Sequence, residues 1–163
     1  MLWYFYDWWF WNLFQEKVML LKISSPEKII FEGEIDKIIL PTEIGDVTVK
    51  PWQRPTVTSL KPGIITISPI WKFKEKDFVN TDEWISISIS KWIAFICEDL
   101  IKIATTVATT KISEDEKKLK EKKAQLEKEI RELRKKGSLE EIENSLVKLE
   151  KVNADLKLQA LHN

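Results

Sequence analysis

Apolar and polar residues alternate with a period of two over much of the region from residue 19 to residue 108. The run ISISI at residues 85–89 alternates most cleanly, which is typical of a strand with one buried face. The stretch IIFEGEIDKIILP is interpreted as two short strands on either side of Glu32 and Gly33. Proline and glycine separate further runs at intervals of roughly ten residues. The pattern predicts an antiparallel β-sandwich or barrel over residues 19–108.

After Lys111 the period becomes helical, and leucine and isoleucine recur at intervals of three, four and seven on one face of two segments. Lysine and glutamate fill the other positions, so each apolar seam is narrow. The pattern predicts an antiparallel two-helix hairpin within residues 109–163. A permanently folded coiled coil and a hairpin that docks on another surface are both open at this point. The predicted seam contains Ile112, Leu119, Leu126, Ile130 and Leu133 in the first segment and Leu139, Ile142, Leu146, Leu149 and Leu156 in the second.

The predicted helix ends have recognisable capping residues. Ser113 and Ser138 are each followed three residues later by a glutamate, which is the capping-box pattern at a helix start. Gly137 is placed to end the first helix in a left-handed conformation. A connection of only two residues favours an antiparallel αα-hairpin.

Residues 1–18 form an aromatic-rich segment that begins MLWYFYDWWFWNLF. It is shorter than the roughly 20 apolar residues needed to span a bilayer, and it lacks the basic start of a signal peptide. Two interpretations stay open. The segment is either an interfacial aromatic anchor or a non-native extension ahead of a start at Met19.

Composition excludes several kinds of chemistry. The 26 basic and 26 acidic residues balance, so no net field favours nucleic acid. Cys97 is the only cysteine and His162 the only histidine, which argues against a zinc cluster, a Cys/His nucleophile and a Ser-His-Asp triad. We therefore expect a non-enzymatic chain with no catalytic residues, no metal site, no cofactor and no nucleic-acid partner.

Three strings in sequence order, followed by the predicted hairpin, point to a family. LKISSPEKIIFEGEIDKIILPTEIGDVTV, KPWQRPTVTSLKPGIITI and ISISKWIAFICEDLIKIATTVA precede a charged hairpin. Their Pro-Glu, Gly-Glu, Pro-Thr-Glu-x-Gly and Leu-Lys-Pro-Gly elements are similar to those of the epsilon subunit of F-type ATP synthases. The resemblance covers nearly the whole chain from Met19 onward and implies the same α+β fold, a β-sandwich followed by a helical hairpin.

The resemblance also implies a role and partners. A subunit of this family belongs to the rotor's central stalk, where its sandwich binds the γ subunit and the membrane-embedded c-ring. Its hairpin can reach the catalytic subunits and regulate ATP hydrolysis. The expected location is peripheral, at the cytoplasmic face of a bacterial plasma membrane, and the coupling ion is a proton or sodium. The competing class is a free-standing interaction module, with a ligand-binding sandwich and a hairpin that dimerises as a coiled coil.

The family's c-ring-facing loop matches a short part of this chain. Asp46 matches its acidic residue. Gln53 stands where the family's Pro-Gly-His-x-Pro loop has histidine, Trp52 stands at the glycine, and Arg54 adds a positive charge. We expect these four residues to bind the ring. The Ile/Leu-Asp-x-x-Arg-Ala motif by which some members bind ATP does not occur, so whether this chain binds ATP stays open.

Trp52 and Trp92 both occupy positions where the family has turn glycines. Glycine tolerates positive φ and tryptophan does not. The chain has eight tryptophans and four glycines, although glycine ordinarily makes up about 7% of residues. Some bacterial lineages read UGA as glycine, which another translation table renders as tryptophan. The hypothesis is that these two tryptophans, and the six others, are glycines in the natural protein. The alternative is that they are real interface aromatics.

Overall fold

A computed structural model of the chain describes residues 18–70, 78–81, 83–111, 115–136 and 139–162. The aromatic segment up to residue 17, the predicted seam residue Ile112 and the proposed caps at Ser113, Gly137 and Ser138 lie outside the described residues. The strands are β1 (Met19–Ser24), β2 (Ile29–Thr42), β3 (Gly45–Val49), β4 (Gln53–Leu60), β5 (Gly63–Pro69), β6 (Val79–Asn80), β7 (Ile85–Ile89), β8 (Trp92–Glu98), β9 (Leu100–Ala104) and β10 (Ala108–Thr109). The helices are α1 (Glu116–Lys136) and α2 (Leu139–His162).

The strands form two layers that share β2. In layer 1 the first part of β2 pairs with β1, which continues through β9 and β8 to β4. In layer 2 the last part of β2 pairs with β3 and β5, and β5 pairs with β7. A register shift between Ile35 and Lys37 marks the place where β2 passes from one layer to the other. The prediction of two short strands here was wrong, because a single strand of 14 residues runs through Gly33.

Between the two layers lies an aliphatic core. It is built from alternate residues of the strands, so the period-two pattern is confirmed. The largest side chains with almost no exposure are Met19, Leu21, Ile23, Ile35, Ile38, Leu40, Leu60, Ile65, Ile67, Ile85, Ile87 and Ile89. The α+β fold predicted from the sequence, a sandwich followed by two helices, is therefore the fold of the chain.

Strand β7 is buried on both faces, which corrects the prediction of a half-buried strand. Its isoleucines enter the core, and Ser86 and Ser88 on the other face are 8% and 0% exposed. The cover is helix α2, which packs against β5, β6 and β7. The hairpin thus lies on the outer face of layer 2, and no element among the described residues covers the outer face of layer 1.

The two helices pack against each other along part of the predicted seam. Leu119, Leu126 and Ile130 of α1 are buried as predicted. Leu139, however, is 78% exposed, so its assignment to the seam was wrong. The buried side chains of α2 are instead Ser145, Val152, Ala154 and Leu158, because this helix contacts both α1 and the sandwich.

Candidate functional site

The turn between β3 and β4 brings three of the four predicted ring-binding residues together. Trp52, Gln53 and Arg54 are exposed at the start of β4. The backbone N–H of Trp52 donates to the carbonyl oxygen of Glu98 at 2.8 Å, and Gln53 pairs with Glu98 in the β4–β8 ladder. The tight hairpin between β8 and β9 therefore supports this turn from the side. Sequence reasoning missed that neighbour, although the polar pair Glu98–Asp99 between two apolar runs was a signal for it.

The backbone of Trp52 has φ of 67°, in the left-handed region that glycine adopts freely. The hypothesis of a glycine at this turn predicts such an angle, and the structure has it. Trp92 differs, since it begins strand β8 and is not among the described non-glycine residues with positive φ, which are Trp52 and Glu98. The backbone therefore supports a glycine position at Trp52 alone.

Asp46, the fourth predicted residue, lies apart from the other three. It is the second residue of β3, and it pairs with Pro41 near the β2–β3 turn, whereas Trp52 follows the far end of β3. At about 3.3 Å per residue, the separation is on the order of 15–20 Å. Among the described strands β3 pairs only with β2, so an open strand edge runs between the two groups.

The outer face of layer 1 carries a contiguous set of exposed apolar side chains. Val57 and Phe95 pair across β4 and β8 and are 65% and 49% exposed. Ile93 lies two residues from Phe95 on the same face and is also exposed. Leu20 of β1 is exposed farther across the layer. Soluble monomers rarely leave large apolar patches uncovered, so this arrangement indicates a protein interface.

The hairpin contacts layer 2 through a buried lysine that sequence reasoning missed. The Nζ of Lys151 donates to Ser88 Oγ at 2.8 Å, to Thr109 Oγ1 at 2.9 Å and to the carboxylate of Asp155. The side chains of Lys151 and Asp155 are only 12% and 17% exposed. In the sequence both belong to a run of charges that is typical of a solvated helix face. Only the docking of α2 buries them.

Burial lowers the pKa of Lys151 below its ordinary value, because an ammonium loses hydration at this contact. The hydrogen bond and charge of Asp155 oppose this change, and the nearby charge of Lys122 adds to it. A cleft of about 700 Å³ opens beside Lys151 between α1, α2 and the sandwich. The cleft walls also carry Lys111, Lys122 and Lys148.

Neither a metal cluster nor a membrane-spanning helix occurs in the part of the chain that the structure describes. No group of three His, Cys, Asp or Glu side chains among those residues is placed to hold a metal ion. Neither described helix has a stretch long and apolar enough to cross a bilayer.

Comparison with known sequences finds one family model, the ATP synthase delta/epsilon chain β-sandwich domain, which matches residues 18–111. Among curated proteins, the ATP synthase epsilon chain of a Bradyrhizobium species is 33% identical over 100 residues, which are 61% of this chain and 74% of that one. The epsilon chain of a Nitratiruptor species is 32% identical over 107 residues, 66% of this chain and 78% of that one.

Comparison with solved structures finds the same architecture. A chain in the cryo-EM structure of the Euglena gracilis mitochondrial ATP synthase, with OSCP, F1 and c-ring in rotational state 1, matches with a TM-score of 0.67. The match covers 90% of this chain and 82% of that chain at 18% identity. At that identity the likeness shows the fold.

Replacing Trp52 by glycine should raise the free energy of unfolding by about 1 kcal/mol. A left-handed conformation costs a non-glycine residue about 1–2 kcal/mol, and glycine removes that cost. Glycine also has more conformational freedom in the unfolded chain, which reduces the net gain in stability. The side chain of Trp52 is 64% exposed, so little buried contact is lost. Urea unfolding of the full chain measures the change.

The matched control is Trp84→Gly. Trp84 is half-buried, without positive φ, and the Nζ of Lys37 lies 4.7 Å from its ring centroid, so this substitution should destabilise the chain. Equal losses of stability at both sites would contradict the glycine assignment. The codons give an independent check, since UGG codons at both residue 52 and residue 92 would end the hypothesis.

Proposed function

The chain belongs to the ATP synthase delta/epsilon chain family, and from that premise we propose that it is the non-catalytic epsilon subunit that couples γ to the c-ring in the central stalk. The observation that carries the proposal is the division of the sandwich into two outer faces. The hairpin covers one face, and the other is apolar and exposed. The proposed location is peripheral, at the cytoplasmic face of the bacterial plasma membrane, with a proton or sodium as the coupling ion.

The apolar face of layer 1 is the proposed binding surface for γ. Val57, Ile93 and Phe95 lie side by side on two paired strands, so one partner surface can cover all three. At about 25 cal/mol per Å² of buried apolar surface, covering such a patch supplies much of the free energy that a lasting interface needs. Permanent interfaces are also more apolar than transient ones.

Phe95→Glu should weaken binding to γ by on the order of tenfold or more, because it places a charge in the centre of an apolar contact. Co-purification of tagged chain with the γ subunit and titration calorimetry measure the effect. The matched control is Leu161→Glu on α2, where a leucine that is 55% exposed lies on the hairpin instead of layer 1. A homodimer that does not bind γ would contradict the proposal and favour the free-standing module.

The open edge of β3 is the proposed contact with the c-ring. Asp46 lies near one end of this strand, and Trp52, Gln53 and Arg54 follow its other end. A surface that runs along the edge includes both groups despite their separation. The exposed charges of Asp46 and Arg54 have opposite signs, which suits recognition of polar loops at two places on a partner.

Charge reversal should weaken ring binding at either end of β3. We expect Asp46→Lys and Arg54→Glu each to reduce binding by up to about fivefold, the range of exposed charge pairs, with a smaller effect at high salt. Binding of the purified chain–γ pair to vesicles that contain the c-ring measures this. Lys28→Glu, an exposed charge reversal in the β1–β2 turn, is the control. Unchanged binding in both variants would remove this edge from the interface.

The hairpin is the proposed regulator of ATP hydrolysis, and it would act on the catalytic subunits after leaving the sandwich. The surface that it covers on layer 2 is mixed. Thr66, Ser68, Ser86 and Ser88 contribute hydroxyl groups, whereas Ile64 and Val79, which pairs with Ser86, are apolar. Water can hydrate the hydroxyl groups when α2 departs, so only part of the surface that separation exposes is apolar. This supports reversible docking.

Deleting residues 112–163 should leave assembly with γ intact and raise ATP hydrolysis by the assembled enzyme. We expect about a fivefold rise or more, the lower end of ordinary allosteric coupling. Hydrolysis by enzyme reconstituted with full-length or shortened chain measures the change, and co-purification with γ controls for assembly. Equal hydrolysis with both chains would mean that the hairpin has a structural role only.

A further inference from the structure

Lys151 joins three parts of the chain at one point. Its ammonium has three N–H donors. It bonds to one acceptor on β7 (Ser88), one on β10 (Thr109) and one on its own helix (Asp155). Each donor of the charged group therefore has a partner, although the side chain is only 12% exposed.

This bonding fixes where α2 lies on layer 2. The hydroxyl groups along layer 2 would by themselves tolerate small shifts of the helix along the strands. A lysine that must reach both Ser88 and Thr109 tolerates only one position. A buried ion pair adds little net stability against an apolar pair of the same volume, but it can select one arrangement.

We propose that Lys151 is an interdomain latch, a largely buried amine whose bonds to Ser88 and Thr109 set the docked position of α2 and whose proton makes the strength of docking depend on pH. The neutral amine keeps two N–H donors, which are enough for both bonds. The bonds from Lys151 to Ser88 and Thr109 exist only in the docked state, because separation of the helix returns Lys151 to water and breaks them. The bond to Asp155 is internal to α2 and can survive separation.

The sign of the pH dependence follows from the charges around the group. Asp155 on α2 favours the ammonium, whereas burial and the charge of Lys122 on α1 disfavour it. Lys148 on α2 and Lys111 after β10 line the same cleft and add positive charge, and the neighbours from β7 and β10 are hydroxyl groups.

The pKa of Lys151 is lower when α2 is docked than when it is free. Docking is therefore weakest at low pH, where the ammonium is charged in both states. It strengthens as pH rises from the docked pKa toward the ordinary lysine value of about 10.4, where the amine is neutral in both states.

The experiment follows separation of the hairpin from the sandwich in the full chain. Cys97 is exposed on β8, and Leu139→Cys adds an exposed site at the start of α2, so a donor and an acceptor dye on these two positions report the distance between the two parts. Urea titrations at several values between about pH 7 and pH 10 give the docking constant, which should rise with pH once the pH exceeds the docked pKa of Lys151, by at most about tenfold per pH unit for one proton.

Lys151→Met keeps the length of the side chain and removes its charge, and it should abolish the rise. Lys157→Met, at an exposed lysine on the same helix, should leave the rise unchanged. If Lys151→Met does not dock, the double variant Lys151→Met and Asp155→Leu replaces the pair with apolar side chains, and it should dock without dependence on pH. A flat profile in the unmodified sequence, or an undiminished rise without Lys151, would overturn the proposal.

A second measurement observes the proton itself. NMR of the chain with ¹³C-labelled lysines should show one side chain that titrates below the others and is absent in Lys151→Met. If all lysine side chains titrate over the same pH range, the latch proposal is wrong. Both experiments on the latch use the isolated chain, and only the regulatory role of the latch rests on the proposed function. A failed latch gives a docking constant that does not change with pH, whereas a failed proposed function gives a rate of ATP hydrolysis that does not change when the hairpin is deleted. The two failures are therefore distinguishable.

Discussion

The packing of α2 against the serine face of β7 determines how the rest of the surface can be used. It buries Ser86 and Ser88, takes Lys151 and Asp155 out of water, and holds α1 at a distance from the strands as the outer helix of the hairpin. Within the described part of the chain, it also leaves the apolar outer face of layer 1 exposed. Both the proposed γ interface and the proposed latch therefore depend on the packing of the hairpin against layer 2 and not against layer 1.

Local pattern was enough to predict the elements of this fold, but it could not predict the contacts between them. The alternation at residues 85–89 identified a strand and its core face correctly. The burial of its serine face arises from a helix more than fifty residues later, so no local period encodes it. The exposure of Leu139 has a related cause, because its position at the very start of α2 lies beyond the part of the helix that meets the sandwich.

The candidate site was predictable to different degrees at its different residues. Trp52, Gln53 and Arg54 are adjacent in sequence and stay adjacent in space, whereas the length of β3 separates them from Asp46. The positive φ of Trp52 was predictable because turn geometry restricts the backbone whatever the side chain. Lys151 was not, because its role depends on tertiary burial and its sequence context is that of a solvated lysine.

The two outer faces of the sandwich differ in the cost of uncovering them. Exposing Val57, Ile93 and Phe95 to water after binding would forfeit their hydrophobic free energy, which favours a partner that stays. Thr66, Ser68, Ser86 and Ser88 can be hydrated instead, which favours a partner that comes and goes. A surface with so many hydroxyl groups provides less apolar free energy per unit area than the outer face of layer 1, so a specific polar contact has a larger share in fixing where the helix docks. Lys151 makes such a contact to two strands at once. A rotor subunit that is held firmly by one face and regulated through the other has physical reason to place its apolar residues on the first and its hydroxyl groups on the second.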